Sequence, residues 1–371
     1  MAPAAGRPLA CGPHMVKCLG YGALAAGLLT ALLSAPVAAG QGVHDSVLVS
    51  PKRCTTNRAA GTITYLTGFG WEASVGILDP IVAEDQGFYR ELCLTVKLVP
   101  GTGDPTSSGQ LVAAGRATVT ELGSPDDVID DAANAHIPVD AVATYGNTTI
   151  DVLLTSPKIT NLRQLDGKTL GYKSAMPPDI TAMLEKAGVD VASLKEIAVS
   201  YDPTILPRGE VQALTAYKSN EPVQLADDGY KFREWDPATF GIKGAFNLLD
   251  VNRGWAAAHP GATEDFLRAT FEAFNYCLTH AEQCVEEAAK LEPGYDVHQN
   301  VQRWRIESGY VERTLPAGHG VGYEDLAQYT PAYQLLLKYD LVKPPVDLPA
   351  LFDPDYVDAI YKGNKLVWPG T

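Results

Sequence analysis

61-GTITYLTGFGWEASVGILDPIVAEDQGFYRELCLTVKLVP-100 reads as a strand, a helix and a second strand in that order. Thr62, Ile63, Thr64, Tyr65 and Leu66 are β-branched and aromatic residues that favour a strand. Ile77 to Gln86 places apolar residues at helical spacing until Gly87 interrupts it, and Cys93 to Val99 alternates again. A strand, crossover helix and strand of this size form a βαβ unit. Ligands of such sheets sit where the chain leaves the carboxyl end of a strand. Here that exit is Gly68-Phe69-Gly70-Trp71-Glu72.

Outward from this unit the alternation continues with short connections, as a compact α/β domain requires. The turn 100-PGTGDP-105 leads to an expected helix over 106–114 and a strand over 117–122. After Ser124-Pro125 a helix runs to Asn134, followed by a strand over 139–145. A second unit opens near Pro157 with a short helix, the strand ending at Tyr172 and a helix over 178–187. Strands at 197–200, 211–217 and 246–251 follow, then a long amphipathic helix over 260–278. This order suggests an α/β chain of two lobes, each with a mixed, mostly parallel sheet flanked by helices, and a cleft between them. The first lobe is expected over 60–154 and 251–330 and the second over 155–250, with crossings near 154 and 250. Residues 40–59 read as a linker and 331–371 as a C-terminal helix and tail.

The first forty residues read as an export leader: Lys17, the apolar run 21–33, then the small residues Ala35 to Ala39. The apolar run is shorter than the roughly 20 residues of a spanning helix. A start at Met15 gives a tidier leader, and no Cys follows the run directly to carry a lipid. Exported, extracytoplasmic residence in the periplasm or at the cell surface is therefore expected, with an uncleaved membrane anchor as the alternative. The chain of 371 residues is 46% apolar and has a formal charge of −15. Removal of residues 1–39 takes away Arg7 and Lys17 and no acid, leaving 27 bases against 44 acids, or −17. Such a charge argues against nucleic acid and anionic lipid as partners. Of six Cys, four remain: Cys54, Cys93, Cys277 and Cys284. An even number in an exported chain favours disulfides, and of the three connectivities Cys54–Cys93 with Cys277–Cys284 is preferred, since the second pair flanks a helix end.

No GxSxG, HExxH or Walker lysine is present, and 101-GTGDP-105 lacks the spacing that cradles a dinucleotide. The His residues are scattered and no CxxC occurs, so neither a catalytic residue, a cofactor nor a metal is expected. What remains are polar and aromatic residues at strand ends that would face a crevice: Trp71, Glu72, Asp104, Ser124 and Asn147 in the first lobe, and Ser174, Asn220 and Glu221 in the second. Each has a plainer role beside it. Trp71 could pack in the core, Glu72 could open a helix, and Asp104 and Ser124 stand where helix caps belong. Tyr65 and Tyr217 read as strand residues.

The segments 70-GWEASVGILDPIVAEDQGFY-89, 111-LVAAGRATVTELGSPDD-127, 165-LDGKTLGY-172 and 209-GEVQALTAYKSNEPVQL-225 resemble solute-binding proteins of ABC importers. The group is the one that spans thiamine-pyrimidine, riboflavin and alkylsulfonate binders, and the resemblance covers roughly residues 60–290. It implies a type II periplasmic-binding-protein-like fold that closes on a small ligand and docks, as a monomer, on a permease with its ATPase subunits. Trp71 matches the aromatic that packs on a ligand ring in the pyrimidine-type binders, and Asn220-Glu221-Pro222 matches a second-lobe ligand segment. Gly70 and Ile77 stand where that subgroup carries Asp and His, which argues against inheriting its ligand. The acids Glu72, Asp104 and Glu221 suggest a neutral or cationic ligand with N–H donors, such as a heteroaromatic ring stacked on Trp71; Arg116, Lys173 and Lys218 lie beside these positions. A sulfonate- or nitrate-type anion binder, a sensor subunit, and an enzyme related to the pyrimidine-precursor synthases are the alternatives.

Overall fold

A computed structural model describes residues 46–370, and the expected leader lies outside the described residues. The α-helices are α1 (Pro51–Ala59), α2 (Leu78–Gln86), α3 (Phe88–Glu91), α4 (Pro105–Ala113), α5 (Pro125–Asp130), α6 (Pro178–Lys186), α7 (Glu221–Asp227), α8 (Arg253–Ala258), α9 (Pro260–Thr279), α10 (Ala281–Ala289), α11 (Val297–Thr314), α12 (Leu326–Lys338) and α13 (Asp355–Asp358). The strands of the two large sheets are β1 (Thr62–Leu66), β2 (Thr95–Val99), β3 (Val119–Leu122), β4 (Val139–Gly146), β5 (Asp151–Thr155), β6 (Thr169–Tyr172), β7 (Lys195–Ala198), β8 (Ala213–Tyr217), β9 (Arg233–Trp235) and β10 (Phe246–Asn252). Among the described residues no helix is long and apolar enough to cross a membrane.

Two five-stranded sheets organise the chain, in the orders β2-β1-β3-β10-β4 and β7-β6-β8-β5-β9. In the first, β1 runs parallel to β2 and β3, and β10 runs antiparallel to β3 and β4. In the second, β6 runs parallel to β7 and β8, and β5 runs antiparallel to β8 and β9. The two lobes thus repeat one topology, each with a single reversed strand next to the third parallel one. β5 pairs along its whole length with the second sheet, so the chain passes between sheets at 147–150, earlier than the crossing expected near 154. It returns before Phe246, since β10 lies wholly in the first sheet. Gly146-Asn147 marks a break after β4, but the apolar text of 152-VLLT-155 reads the same in either sheet, and pairing alone decides which it joins.

Alternation along β5 supplies both faces of the second lobe. Leu153 packs with Leu170, Ile180 and Met183, while Val152 and Leu154 pack with Leu206, Leu214 and Leu225. On the first sheet, Tyr65, Tyr89 and Phe266 stack in a core closed by α2 and α9, with ring centroids of Tyr89 and Phe266 5.3 Å apart. The opposite face buries Leu122, Val128 and Leu248 beneath Tyr329 and Leu336 of α12.

Residues 51–59, expected as linker, instead form α1, because Ser50 accepts from the Arg53 N–H (3.3 Å) and Pro51 occupies the first turn. Cys54 joins Cys93, with Cα atoms 5.1 Å apart, and Asn57 donates to the Leu92 carbonyl and to Asp265, both at 2.7 Å. Cys277 and Cys284 form the other expected disulfide, linking α9 to α10. The C-terminal helix begins earlier than the expected 331, at Leu326, where Asp325 caps it and Gln328 completes the capping box.

Candidate functional site

The carboxyl ends of β1 and β2 are laced together by their own backbone. Thr67 Oγ1 donates to the Gly70 carbonyl (2.6 Å) and accepts from the Gly101 N–H (3.0 Å), and the Gly70 and Gly103 N–H groups donate to the carbonyls of Gly101 and Gly68. Gly103 has φ +80° and lies under the Phe69 ring, where a Cβ would come within 2.3 Å. Phe69, 40% exposed, is thereby held toward Tyr201 of the second lobe, centroid to centroid 6.0 Å. Gly68 leaves room for the Glu121 carboxylate, since a Cβ there would fall 1.8 Å from Oε2.

The expected site residues divide by what they touch. Trp71 is half-buried against the first-lobe core, and its carbonyl accepts from the Tyr295 hydroxyl (2.9 Å). Glu72 pairs with Arg303 at 3.3 Å; burial raises its pKa and Arg303 opposes the rise. Asn220 Oδ1 accepts from the same Arg303 (2.8 Å) and from Gln224 (2.7 Å), so α11 brings these two together across the lobes. Glu221 is buried and accepts from Lys173 Nζ and from the Tyr217 N–H (2.9 Å). Ser124 shares a capping box with Asp127, whose Oδ2 accepts from the Ser124 N–H at 3.0 Å. Asp104 stands apart: it is exposed, caps α4 by accepting from the Ser107 hydroxyl (2.8 Å) and N–H (3.2 Å), and is held below the usual carboxyl range by those bonds. Ser174 is exposed just after β6 with φ +53°, a left-handed backbone uncommon outside glycine. Asn147 lies in the 147–150 crossing. Its N–H donates to Thr314 Oγ1 (3.0 Å), while both polar atoms of its side chain are inaccessible and without a partner.

Between the lobes the charge balance is acidic. Asp126 of α5 approaches Asp151 of β5 and Asp179 of α6, and its neighbour Asp127, closely enough for their charges to interact. Burial, with Asp179 and Asp127 adding, pushes Asp126 to about 8, and one of its oxygens has no partner. Burial raises Asp127 to about 6 against the Ser124 bonds, and it raises Asp151 well above its usual range, with Asp179 and Asp126 adding and Lys173 and Lys218 opposing. Glu121 is pushed far up by burial, then by Glu307 and Asp127. Tyr217 keeps 50% of its surface accessible, and its hydroxyl lies 3.7 Å from where a Cβ on Gly123 of the first lobe would stand, so it sits at the junction of the lobes, within reach of the charges of Asp151, Asp127, Glu221 and Glu121. It was expected as a plain strand residue, and its position at the end of β8 is the signal that marks it. The cations at this junction are engaged: Lys173 with Glu221, Lys218 with Asp236 (2.9 Å) and the Thr149 carbonyl (2.7 Å), Arg303 with Glu72.

Sequence reasoning missed Arg303 and Glu307. Glu307 of α11 is buried and accepts from the Val75 N–H (2.9 Å), the Ser74 hydroxyl (3.2 Å) and the Ser219 hydroxyl (2.6 Å). Burial raises it to about 7 against those bonds and Arg303. Two charged residues on the polar face of an amphipathic helix read as solvated surface, and only the tertiary arrangement reveals that they face inward. No group of three or more His, Cys, Asp or Glu among the described residues is placed to hold a metal ion. The four described cysteines are all oxidised, so none is a free thiol.

The arrangement gathers carboxyl oxygens and one phenol at the junction of the two lobes. Comparison with known proteins fits this geometry. Riboflavin-binding protein RibY of Chloroflexus aurantiacus is 22% identical over 208 residues, which is 54% of this chain and 58% of RibY. The chain therefore matches somewhat over half the length of that curated relative. In three dimensions it is similar to the periplasmic aliphatic sulphonate binding protein SsuA from Escherichia coli, with a TM-score of 0.60, 16% identity, and coverage of 84% of this chain and 96% of SsuA. The desulfurization enzyme DSZB also shares the fold, with a TM-score of 0.56 and 14% identity over 80% of this chain and 97% of DSZB. The chain has the two-lobed fold of periplasmic binding proteins, a scaffold that hosts both binders and an enzyme. The family model described as NMT1/THI5 like matches residues 77–284, more than half of the chain, and the protein belongs to that family.

Proposed function

We propose that the protein is the extracytoplasmic solute-binding component of an ABC importer. In this reading it captures a small ligand between its lobes as a monomer and delivers it to a permease coupled to ATPase subunits. Membership of the NMT1/THI5-like family and the two-lobed fold support a binding role. Two disulfides and the export-type leader support residence outside the cytoplasm. Closure on the ligand would select the form that docks on the permease.

The ligand carries N–H donors or a positive charge. The observation that carries this is the set of carboxyl groups around Tyr217, raised by their burial and mutual repulsion, beside cations already paired within the chain. A cation or a donor-rich heterocycle relieves that repulsion and can stack on the Tyr217 ring, whereas a sulfonate would add to it. SsuA likeness gives the sulfonate a place in the test. Thermal shift and calorimetry of the full chain with riboflavin, an aminopyrimidine, spermidine and an alkanesulfonate decide the matter. At 100-fold excess over Kd a true ligand stabilises by about 2.7 kcal/mol. Binding of the sulfonate alone overturns the ligand class, and growth experiments on a strain lacking the gene test import itself.

A further inference from the structure

Helix α11 carries two stripes offset by one residue. Val301, Trp304 and Val311 are buried in the first-lobe core, where Trp304 stacks edge-on against Phe274 (5.4 Å) and donates to the Cys277 carbonyl at 3.2 Å. The adjacent stripe, Asn300, Arg303, Glu307, Tyr310 and Thr314, repeats every three or four residues and is polar throughout, so it occupies one face of the helix. That face lies at the junction of the lobes. On the first-lobe side, Asn300 accepts from the Ala73 N–H (2.9 Å) and Glu307 from the Val75 N–H.

On the second-lobe side the fit has a simple register. Lys218, Ser219 and Asn220 form the loop between β8 and α7, and each meets a successive turn of α11. Lys218 lies 5.0 Å from the Tyr310 ring centroid, the Ser219 hydroxyl donates to Glu307 (2.6 Å), and Asn220 accepts from Arg303 (2.8 Å). Lys218 and Ser219 are 5% and 1% exposed, so these are desolvated contacts and not surface ones. A helix that only needed to cover the first lobe would expose an ordinary polar face to water. This one also directs Arg303 and Glu307 at the other lobe, at partners that water can replace when the lobes separate. Such contacts hold a closed form without making the open form prohibitive.

We propose that α11 is a closure latch, anchored in the first lobe by its apolar stripe and gripping the Lys218-Ser219-Asn220 loop of the second lobe with Tyr310, Glu307 and Arg303. The latch holds the lobes together in the absence of ligand, and a ligand adds its own contacts to a junction already biased toward closure. Its action is independent of what the cleft binds.

The test uses the full chain without ligand, reading small-angle scattering and backbone hydrogen exchange for Glu307→Gln and Ser219→Ala. Ser219→Ala removes only the second-lobe contact. It is expected to enlarge the radius of gyration and to speed exchange about tenfold across 217–221, the order of one lost hydrogen bond, while 73–75 stays protected by Asn300 and Glu307. Glu307→Gln is expected to enlarge the radius too and to speed exchange in both segments. Should Glu307→Gln fail to fold, Ser219→Ala decides alone. An unchanged radius with exchange altered only at 73–75 would make Glu307 a local support for that loop and overturn the latch. Uniform acceleration over the whole chain would overturn it as well.

Discussion

Helices α11 and α12 both lean from the first lobe onto the second, but the side chains that make contact sit in different surroundings. On α11, Arg303 has 4% of its side chain exposed and bridges Glu72 to Asn220. On α12, Lys338 reaches Glu185 of α6 with 53% and 39% of the two side chains exposed, and Tyr339 adds a hydroxyl bond to the same carboxylate at 3.0 Å. Only the Lys338–Glu185 ion pair crosses the lobes; Arg303 pairs with Glu72 inside the first lobe and reaches the second through the Asn220 amide oxygen. At α11, separation breaks a hydrogen bond from a buried charged donor; at α12, water waits on every side. Counting ion pairs would rank the α12 junction first, and burial ranks it second.

The widest gap between them should appear on removing the buried cation. Arg303→Ala leaves Glu72 without its cation and Asn220 Oδ1 with Gln224 as its remaining close donor, and part of that loss is recovered because Glu72 is one-third exposed and rehydrates. A cost of about 3 kcal/mol in urea unfolding, with an unchanged m-value, is expected. A cost below about 1 kcal/mol would place the α11 junction in the same class as the surface pair.

Titration separates the junctions next. Asp126, Asp127 and Glu307 are raised by burial to about 8, 6 and 7, so the folded protein holds protons that the unfolded chain has released above about pH 5. For a carboxyl with a raised folded pKa, stability is full below the unfolded value and is lost as pH rises through the folded one. The melting temperature is therefore expected to rise by several degrees as pH falls from 8 to 5. Asp126→Asn or Glu307→Gln should flatten that slope. Glu185 has its pKa lowered by its bond to Lys338, so its contribution is kept through this window and fades only in stronger acid. A melting temperature that falls between pH 8 and 5 would contradict the burial argument.

A contact of intermediate exposure tests whether the scale is continuous. Phe69 and Tyr201 meet at the mouth of the cleft, 40% and 56% exposed. Phe69→Ala is expected to cost about 1 kcal/mol, the scale of an exposed aromatic pair, and to loosen the junction less than Arg303→Ala does. Urea midpoints for the two variants measured side by side check the order.

How much of this could be read from the text follows the same division between local and long-range causes. The strand at 62–66, the helix at 260–279, the cap at Asp104 and both disulfides are written in nearby residues, through β-branching, helical spacing, Asp-Pro and paired cysteines. The position of β5 is not, because an apolar run reads the same whichever sheet it joins, and residues 51–59 look like linker until Asn57 finds Asp265 more than 200 positions away. The candidate site fared likewise. Glu72, Asn220 and Glu221 were legible as polar residues at strand exits, yet their partners Arg303 and Lys173 are set by tertiary packing. Arg303 and Glu307 sit in a helix whose polar stripe looks like a solvated face. Nothing in local spacing distinguishes a stripe that faces water from one that faces a second lobe.

The smallest effect belongs to the exposed junction, and its smallness is the informative part. Lys338→Ala removes the Glu185 pair, but both groups are already largely hydrated, and the entropy of holding a long side chain in place offsets much of the attraction. A change of no more than about 0.5 kcal/mol is expected, shrinking further as salt rises from 0.05 to about 0.5 M and the screening length shortens. The Tyr339 hydroxyl bond to Glu185 persists in this variant and keeps α12 seated. Should Lys338→Ala instead cost as much as Arg303→Ala, the surface pair would be holding the lobes in register. The closing force would then have to be sought along the α6–α12 edge rather than in the buried stripe of α11.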